Sequence, residues 1–430
     1  MTLEPTDYKL LTVATGEIKE DTGWKLTDSS CNRPSLLRAV YSKKKIDFKG
    51  EEYGFYKYAD WLPINTMLKN SAAPVTYKSE GLAKTLKLEN LYITFSGYWP
   101  EKGAKMTTCS FKETEAYSVC ARLPKDHGKI LVVASAGNTA RAFARVCSDN
   151  AIPIVIAIPH ANIDALWFSH PLNECVKVIS TPDGTDYFDA IQLAAKLCES
   201  DRFLDEGGAK NVARRDGMGT TVLSAVEKIG RIPDFYFQAV GSGTGTIAAW
   251  EANMRLVEDG RFGNHLMKLV PSQNIPFTPM YDAWNKDSRD LLPMDEESAR
   301  KLALKIDAKV LSNRKPPYSL AGGLYDALKA SNGMMEAVSN EELERAVNLF
   351  AQTEGIDIHP AAGIAVSSLM KCVENNTVKS SDIVMLNITG GGEKKFKKET
   401  GKIYQKDADL VIPSPASSDE VIEKVSALFK

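Results

Sequence analysis

The sequence predicts an α/β protein of two or three domains, built on parallel sheets covered by helices and preceded by a mixed N-terminal extension. Three observations lead there. The chain has 430 residues, more than one small core organises. From Leu91 onward, short apolar runs alternate with helix-length amphipathic segments, the pattern of strands and crossover helices. Four strand-to-helix junctions are rich in glycine, serine and threonine, and such junctions line ligand crevices at the carboxyl ends of parallel strands.

Taken in order, residues up to about Pro74 read as the extension. Tyr8–Val13 and Lys44–Phe48 are candidate strands, Gly16 and Asn32–Pro34 mark turns, and Tyr53–Leu62 is aromatic-rich without evident chemistry. The later strands are Leu91–Thr94, Ile130–Ala134, Ile152–Ile158, Val176–Ile179, Phe235–Val240, Leu266–Val270 and Ile383–Ile388. Between them lie helical patterns at Thr139–Cys147, Tyr187–Cys198, Thr220–Ile229 and Ile247–Val257. Ser339 with Glu342, and Ser417 with Glu420, read as capping boxes, and Pro360 as a first-turn proline of a helix through Leu369. Pro316-Pro317 and Pro413–Pro415 mark loops.

Composition excludes several functions. Apolar residues are 43% and charged residues 25%, and the formal charge of −2 gives no reason to expect nucleic acid or an anionic membrane as partner. Any anion site is therefore local. The seven cysteines, Cys31, Cys109, Cys120, Cys147, Cys175, Cys198 and Cys372, are odd in number and contain no C-x-x-C, so no disulfide framework and no metal site is expected. Met1–Leu11 lacks a basic segment followed by an apolar one, and the apolar run Pro153–Pro159 is too short to span a bilayer. A cytoplasmic protein is expected.

The junctions carry the candidate chemistry. In Met106–Ala116 a hydroxyl-rich loop hands over to a helix with Lys112 in its first turn, where the helix dipole disfavours a cation and favours Glu113 and Glu115. Lys112 is either a solvated lysine or one kept for its amine, which can form a Schiff base. Gly241-Ser242-Gly243-Thr244-Gly245, between an apolar strand and a helix, reads as a phosphate cradle of backbone amides and hydroxyls. Thr246 replaces the last glycine of a dinucleotide fingerprint, and no G-x-x-x-x-G-K sequence is present. Ser135-Ala136-Gly137-Asn138-Thr139 offers Asn138 as a helix cap, or a helix start suited to a carboxylate ligand. Thr389-Gly390-Gly391-Gly392 follows a buried strand and permits close backbone approach, or simply connects to the charged run Lys394–Lys398.

An S-F-K lysine loop, a G-N-T loop, a glycine- and serine-rich phosphate loop and a late strand ending in Thr389, in this order, resemble the fold-type II pyridoxal-phosphate enzymes. Within that tryptophan-synthase-β group the resemblance is to the threonine synthase branch, from about Ala73 to Gly392. It implies a two-domain fold, each domain a mostly parallel sheet flanked by helices: 1–74 as the extension, 75–105 crossing and packed with the large domain, 106–210 the small domain, and 211–430 the large one. It implies pyridoxal 5'-phosphate held by Lys112 as Schiff-base lysine. Asn138 would meet the ring hydroxyl, Gly241, Ser242, Gly243, Thr244 and Gly245 the phosphate, and Thr389 the pyridine nitrogen. Thr108, Ser135, Gly137, Thr139 and Arg141 would bind substrate. A homodimer is the family's usual state.

Departures from the branch point to an altered substrate pocket. Its N-P-T-G-S-F-K-D loop reads Met106-Thr107-Thr108-Cys109-Ser110-Phe111-Lys112-Glu113 here, and its E-P-A-S reads His359-Pro360-Ala361-Ala362. Of a cysteine cluster that binds metal in some relatives, only Cys31 remains. Together with Ser96–Pro100 these changes resemble the methanogen cysteate synthases, threonine synthase paralogues serving coenzyme M biosynthesis. Their substrates are O-phospho-L-serine, a small anionic amino acid, and sulfite. Lys102, Lys105, Arg141, Arg214 and Arg215 are candidates for the positive charge this requires, and His359 lies either in the pocket or in the core. Threonine synthase and O-phosphoserine sulfhydrylase are rivals in the same chemistry. A cofactor-free nucleotide-binding protein and a regulatory paralogue without turnover are rivals outside it.

Overall fold

The computed structural model describes residues 4–124, 127–413 and 415–429; Met1–Leu3 and Ser414 of the Pro413–Pro415 loop lie outside them. Two parallel sheets organise the chain. The larger has the strand order Glu336–Val338, Lys268–Asn274, Phe235–Ala239, Ile383–Ile388, Asn90–Phe95 and Val75–Lys78, and only the last strand is antiparallel to its neighbour. The smaller, all parallel, runs Phe203–Asp205, Ile130–Ala134, Ile154–Pro159, Val176–Thr181 and Leu410–Val411. Central strands such as Ile-Val-Ile-Ala-Ile-Pro at 154–159 are apolar at almost every position because helices cover both faces, and every residue of that strand is buried.

The smaller sheet recruits the end of the chain, which corrects the expected 211–430 unit. Leu410–Val411 extends the edge strand Val176–Thr181, Tyr404–Gln405 pairs with Trp167–Phe168, and the terminal helix Ser418–Ala427 buries Val421 and Val425 among Leu193, Ala194 and Leu197. An amphipathic terminal helix and an open sheet edge each lack a partner, and here they supply one another.

Helix Lys112–Arg122 packs against helix Val212–Ile229, which begins eight residues before the expected Thr220. Asn211 starts it, its side chain accepting the Ala213 N–H at 3.0 Å. Gly217 and Gly219 interrupt the helical pattern in sequence, yet Gly217 is where the helices touch: a Cβ there would fall on the Thr114 carbonyl. In the extension, Tyr8–Thr12 pairs with Ile18–Glu20 and with Leu37–Tyr41, while Lys44–Phe48, expected as a strand, is irregular. Leu37, Ala39 and Tyr41 alternate inward along that sheet, a pattern Lys44–Phe48 lacks. The aromatic run forms 3-10 turns over Glu51–Trp61 with Phe55, Tyr56, Tyr58 and Trp61 buried, and the Tyr56 hydroxyl donates to the Tyr117 carbonyl of the lysine helix.

Helix starts follow their signals. Ser339 and Glu342 form the reciprocal capping box and Pro360 opens Pro360–Glu374. Ser417 accepts the Glu420 N–H, but the Glu420 carboxylate pairs with Lys424 at 2.7 Å, so the second half of that box is absent.

Candidate active site

The lysine loop is zipped to the end of strand Ile383–Ile388. Phe111 N–H donates to the Thr389 carbonyl at 3.0 Å and Gly391 N–H to the Cys109 carbonyl at 3.1 Å, while Cys109 takes φ 55°, rare for a residue with a side chain. Lys112 is the first residue of its helix. Its side chain is one-fifth exposed, and Nζ lies 3.1 Å from Glu115 Oε2 and 4.7 Å above the Phe111 ring. Burial pulls this amine below the ordinary lysine range; Glu115 opposes the shift and Arg214 reinforces it.

Lys112 opens into a cavity of about 520 Å³, large enough for a cofactor-sized ligand and a small substrate. The four junctions converge on it. Ser135, Gly137, Asn138 and Thr139 line one wall, Gly241 to Gly245 another, and Thr389 a third. In the glycine loop the first helical hydrogen bonds run from Thr246 and Ile247 to the Gly243 carbonyl, and the Thr244 N–H donates to Ser242 Oγ at 3.3 Å, so the loop's other amides lie ahead of the helical ladder. The Ser242 and Thr244 hydroxyls bond each other at 2.7 Å, and a Cβ at Gly241 would crowd the Leu311 backbone at 3.0 Å. A glycine loop at a helix start can cradle an anion.

Several placements correct the sequence reading. Asn138 is the first helical residue rather than the cap: Ser135 Oγ accepts the Gly137 and Ala140 N–H groups, and Asn138 Oδ1 accepts from Arg141 at 2.9 Å. Thr108 and Arg141, expected at substrate, do not line the cavity. Arg141 is 3% exposed, donates to the carbonyls of Thr108 and Ala165, and lies 4.1 Å over the Trp167 ring. It therefore orients the Asn138 amide. Arg215 is buried against Glu251 at 2.9 Å, and Lys102 and Lys105 line a separate cavity beside the extension. Of the basic candidates only Arg214 reaches the site, and His359, left open between pocket and core, lines it with Nε2 3.2 Å from Glu393.

Sequence reasoning missed Tyr187, Glu206 and the segment 309–320, which also border the cavity or its charges. Glu206-Gly207-Gly208 after the short strand Phe203–Asp205 was the available signal for one of them. Arg214 is held charged by Glu115 and Glu206 despite burial, and burial lifts Glu206 above the usual carboxylate range against Arg214's pull.

Glu113 faces the other way, accepting the Thr108 N–H at 2.5 Å, and burial raises its carboxyl from 4.5 to about 7 against that bond. Such a group binds its proton more tightly folded than unfolded. Its contribution to stability is present below 4.5 and is lost as pH rises to about 7. Glu113→Gln keeps the acceptor without the charge. Thermal denaturation should show the variant gaining on the parent as pH rises from about 5 to about 8, by up to roughly 3 kcal/mol; a pH-independent difference would refute the assignment.

The sequence profile described as "Pyridoxal-phosphate dependent enzyme" matches residues 81–390. Similar curated proteins are cysteate synthases from Methanosarcina acetivorans, 49% identical over 89% of this chain and 92% of that protein, and from Methanocella arvoryzae, 45% identical over 93% and 95%. Among solved structures, maize serine racemase superposes with TM-score 0.58 at 12% identity over 76% of this chain and 91% of its own. Threonine deaminase isoform 2 from Solanum lycopersicum superposes with 0.54 at 17% over 76% and 86%. At those identities the likeness is one of fold.

Proposed function

Because the chain belongs to the family of pyridoxal-phosphate-dependent enzymes, we propose that it is a cysteate synthase, exchanging the phosphate of O-phospho-L-serine for sulfite to give L-cysteate and phosphate. The observation that carries this reading is similarity to cysteate synthases over nearly the whole length of both chains. The reading places the reaction in coenzyme M biosynthesis, in a cytoplasmic homodimer. No helix among the described residues is long and apolar enough to cross a membrane, and they hold no cluster of residues suited to a metal ion.

The residues fit pyridoxal 5'-phosphate. The loop Gly241–Gly245 leaves no room for side chains at Gly241, Gly243 and Gly245, where a phosphate would need backbone amides, and a mostly buried lysine, Lys112, lines the same cavity. Lys112 would hold the cofactor covalently, Gly241 to Gly245 its phosphate, Asn138 the ring hydroxyl and Thr389 the pyridine nitrogen. When bound, the cofactor supplies an electron sink for the pair left at the substrate's Cα, and a hydroxyl partner such as Thr389 need not keep the pyridine nitrogen charged.

The chain's own groups do the rest. The turn Ser135–Thr139 would hold the substrate carboxylate at a helix start. The Lys112 amine, freed when the substrate's own amine takes its place, takes the α-proton at Nζ; phosphate leaves Cβ with the C–O electron pair; sulfite closes the C–S bond with its sulfur lone pair; Nζ returns the proton to Cα. Arg214 brings positive potential to that region although two carboxylates share it.

The test is mass spectrometry of products from the cofactor-loaded protein given O-phosphoserine with sulfite, O-phosphoserine with sulfide, and O-phosphohomoserine in water. Cysteate in the first tube alone is expected. Threonine without cysteate would make it a threonine synthase, and cysteine without cysteate a sulfhydrylase.

A further inference from the structure

Lys112 Nζ shares its surroundings with an acid that the reaction described above does not use. Glu115 sits one turn along the same helix with no side-chain exposure, and its two oxygens are divided. Oε1 accepts the Thr139 hydroxyl at 2.9 Å and lies 3.2 Å from Arg214 Nη2, whereas Oε2 meets Lys112 at 3.1 Å. Arg214 continues to Glu206 at 2.8 Å, and Glu206 accepts the Gly208 N–H at 3.1 Å. The row alternates in charge from Lys112 to Glu206. A carboxylate merely holding Arg214 and Thr139 would need only Oε1.

We infer that Glu115 is a positioning residue for the Lys112 amine: it receives Nζ whenever that nitrogen is free, holds it as an ammonium, and so sets the pH above which it acts as a base. When the amine's lone pair forms its bond to the α-proton as the Cα–H bond breaks, the ammonium produced already faces a carboxylate fixed by its bonds to Thr139 and Arg214. Return of the proton to Cα reverses the pairing. Arg214 and Glu206 face the pair from the neighbouring helix and loop, Tyr187 and His359 border the same cavity, and Glu113 is turned away toward Thr108. Burial and Arg214 oppose the ammonium, Glu206 favours it weakly, and Glu115 is the neighbour that favours it most.

This inference rests on the proposed function, and its test separates the two. In the cofactor-free protein the pH midpoint of the rate at which added pyridoxal phosphate develops the visible band reports protonation of the free Lys112 nitrogen, and in the loaded protein the acid limb of kcat, measured with substrate bound, reports the base. A nearby anion raises an amine's pKa, so Glu115→Gln should move both midpoints down by about 1–2 pH units. Glu115→Asp, which keeps the charge, should recover most of that shift. A Gln variant that loses rate equally at every pH with unmoved midpoints would reduce Glu115 to a structural role. If the Gln variant does not fold, the Asp variant decides alone: a midpoint displaced by a full unit or more overturns the inference. A visible band that survives Lys112→Ala would instead show that another amine carries the cofactor, and would overturn the role given to Lys112 in the proposed function before any midpoint is compared.

Discussion

Lys112→Ala should yield a folded, colourless protein with turnover reduced by at least about 10³-fold, the scale at which loss of a nucleophile and proton carrier is felt. The fold should survive because little of it depends on Nζ. The lysine side chain is partly exposed in the cavity, its backbone bonds are those of a helix start, and Glu115 keeps Thr139 and Arg214 as partners after truncation. Removing a cation from beside two buried carboxylates costs less here than it would in a closed core, since Arg214 remains to balance them. Circular dichroism and the visible spectrum of the purified variant, loaded with excess pyridoxal phosphate, make the check. A variant that retained a lysine-type visible band and measurable turnover would show that another amine does this work.

Much of this architecture was legible in the sequence because buried parallel strands are written in a local code. Ile130–Ala134 and Ile383–Ile388 stand as apolar runs with turn residues after them, and the structure gives them those bounds. The junction residues were legible for a related reason: glycine, serine and threonine at a strand end are seldom needed for packing. What escaped depends on contacts far apart in the chain. Nothing near Leu410 says that it extends a sheet begun at Phe203, and nothing near Arg141 says that its guanidinium will be spent on the Thr108 and Ala165 carbonyls. Glu115 looked like a helix-dipole residue, which it is by position. Its pairing with Lys112, Thr139 and Arg214 appears only when three helices meet.

The glycines after Thr389 lead to the second large effect, because they are where the lysine loop, the His359 helix start and the large sheet are tied together. Gly390 accepts the His359 N–H at 3.0 Å, Gly391 donates to Cys109 and accepts from Tyr98 at 3.1 Å, and Gly392 donates to the Asp357 carbonyl at 2.8 Å. Gly392 also has φ 74°, and a Cβ there would overlap the Tyr98 carbonyl oxygen. The obstruction is backbone, and that backbone is fixed by the Tyr98–Gly391 bond, so no side-chain rotation relieves it. Gly392→Ala should therefore cost about 3 kcal/mol or more and shift the lysine loop relative to Thr389, lowering both the melting temperature and retention of the cofactor on dialysis. Gly103→Ala separates crowding from backbone strain: φ there is 83° but nothing lies within 4 Å of the added carbon, so only the conformational penalty of about 1 kcal/mol is expected, with the cofactor kept. Equal losses at the two positions would mean that positive φ alone matters and that the junction tolerates the extra atom.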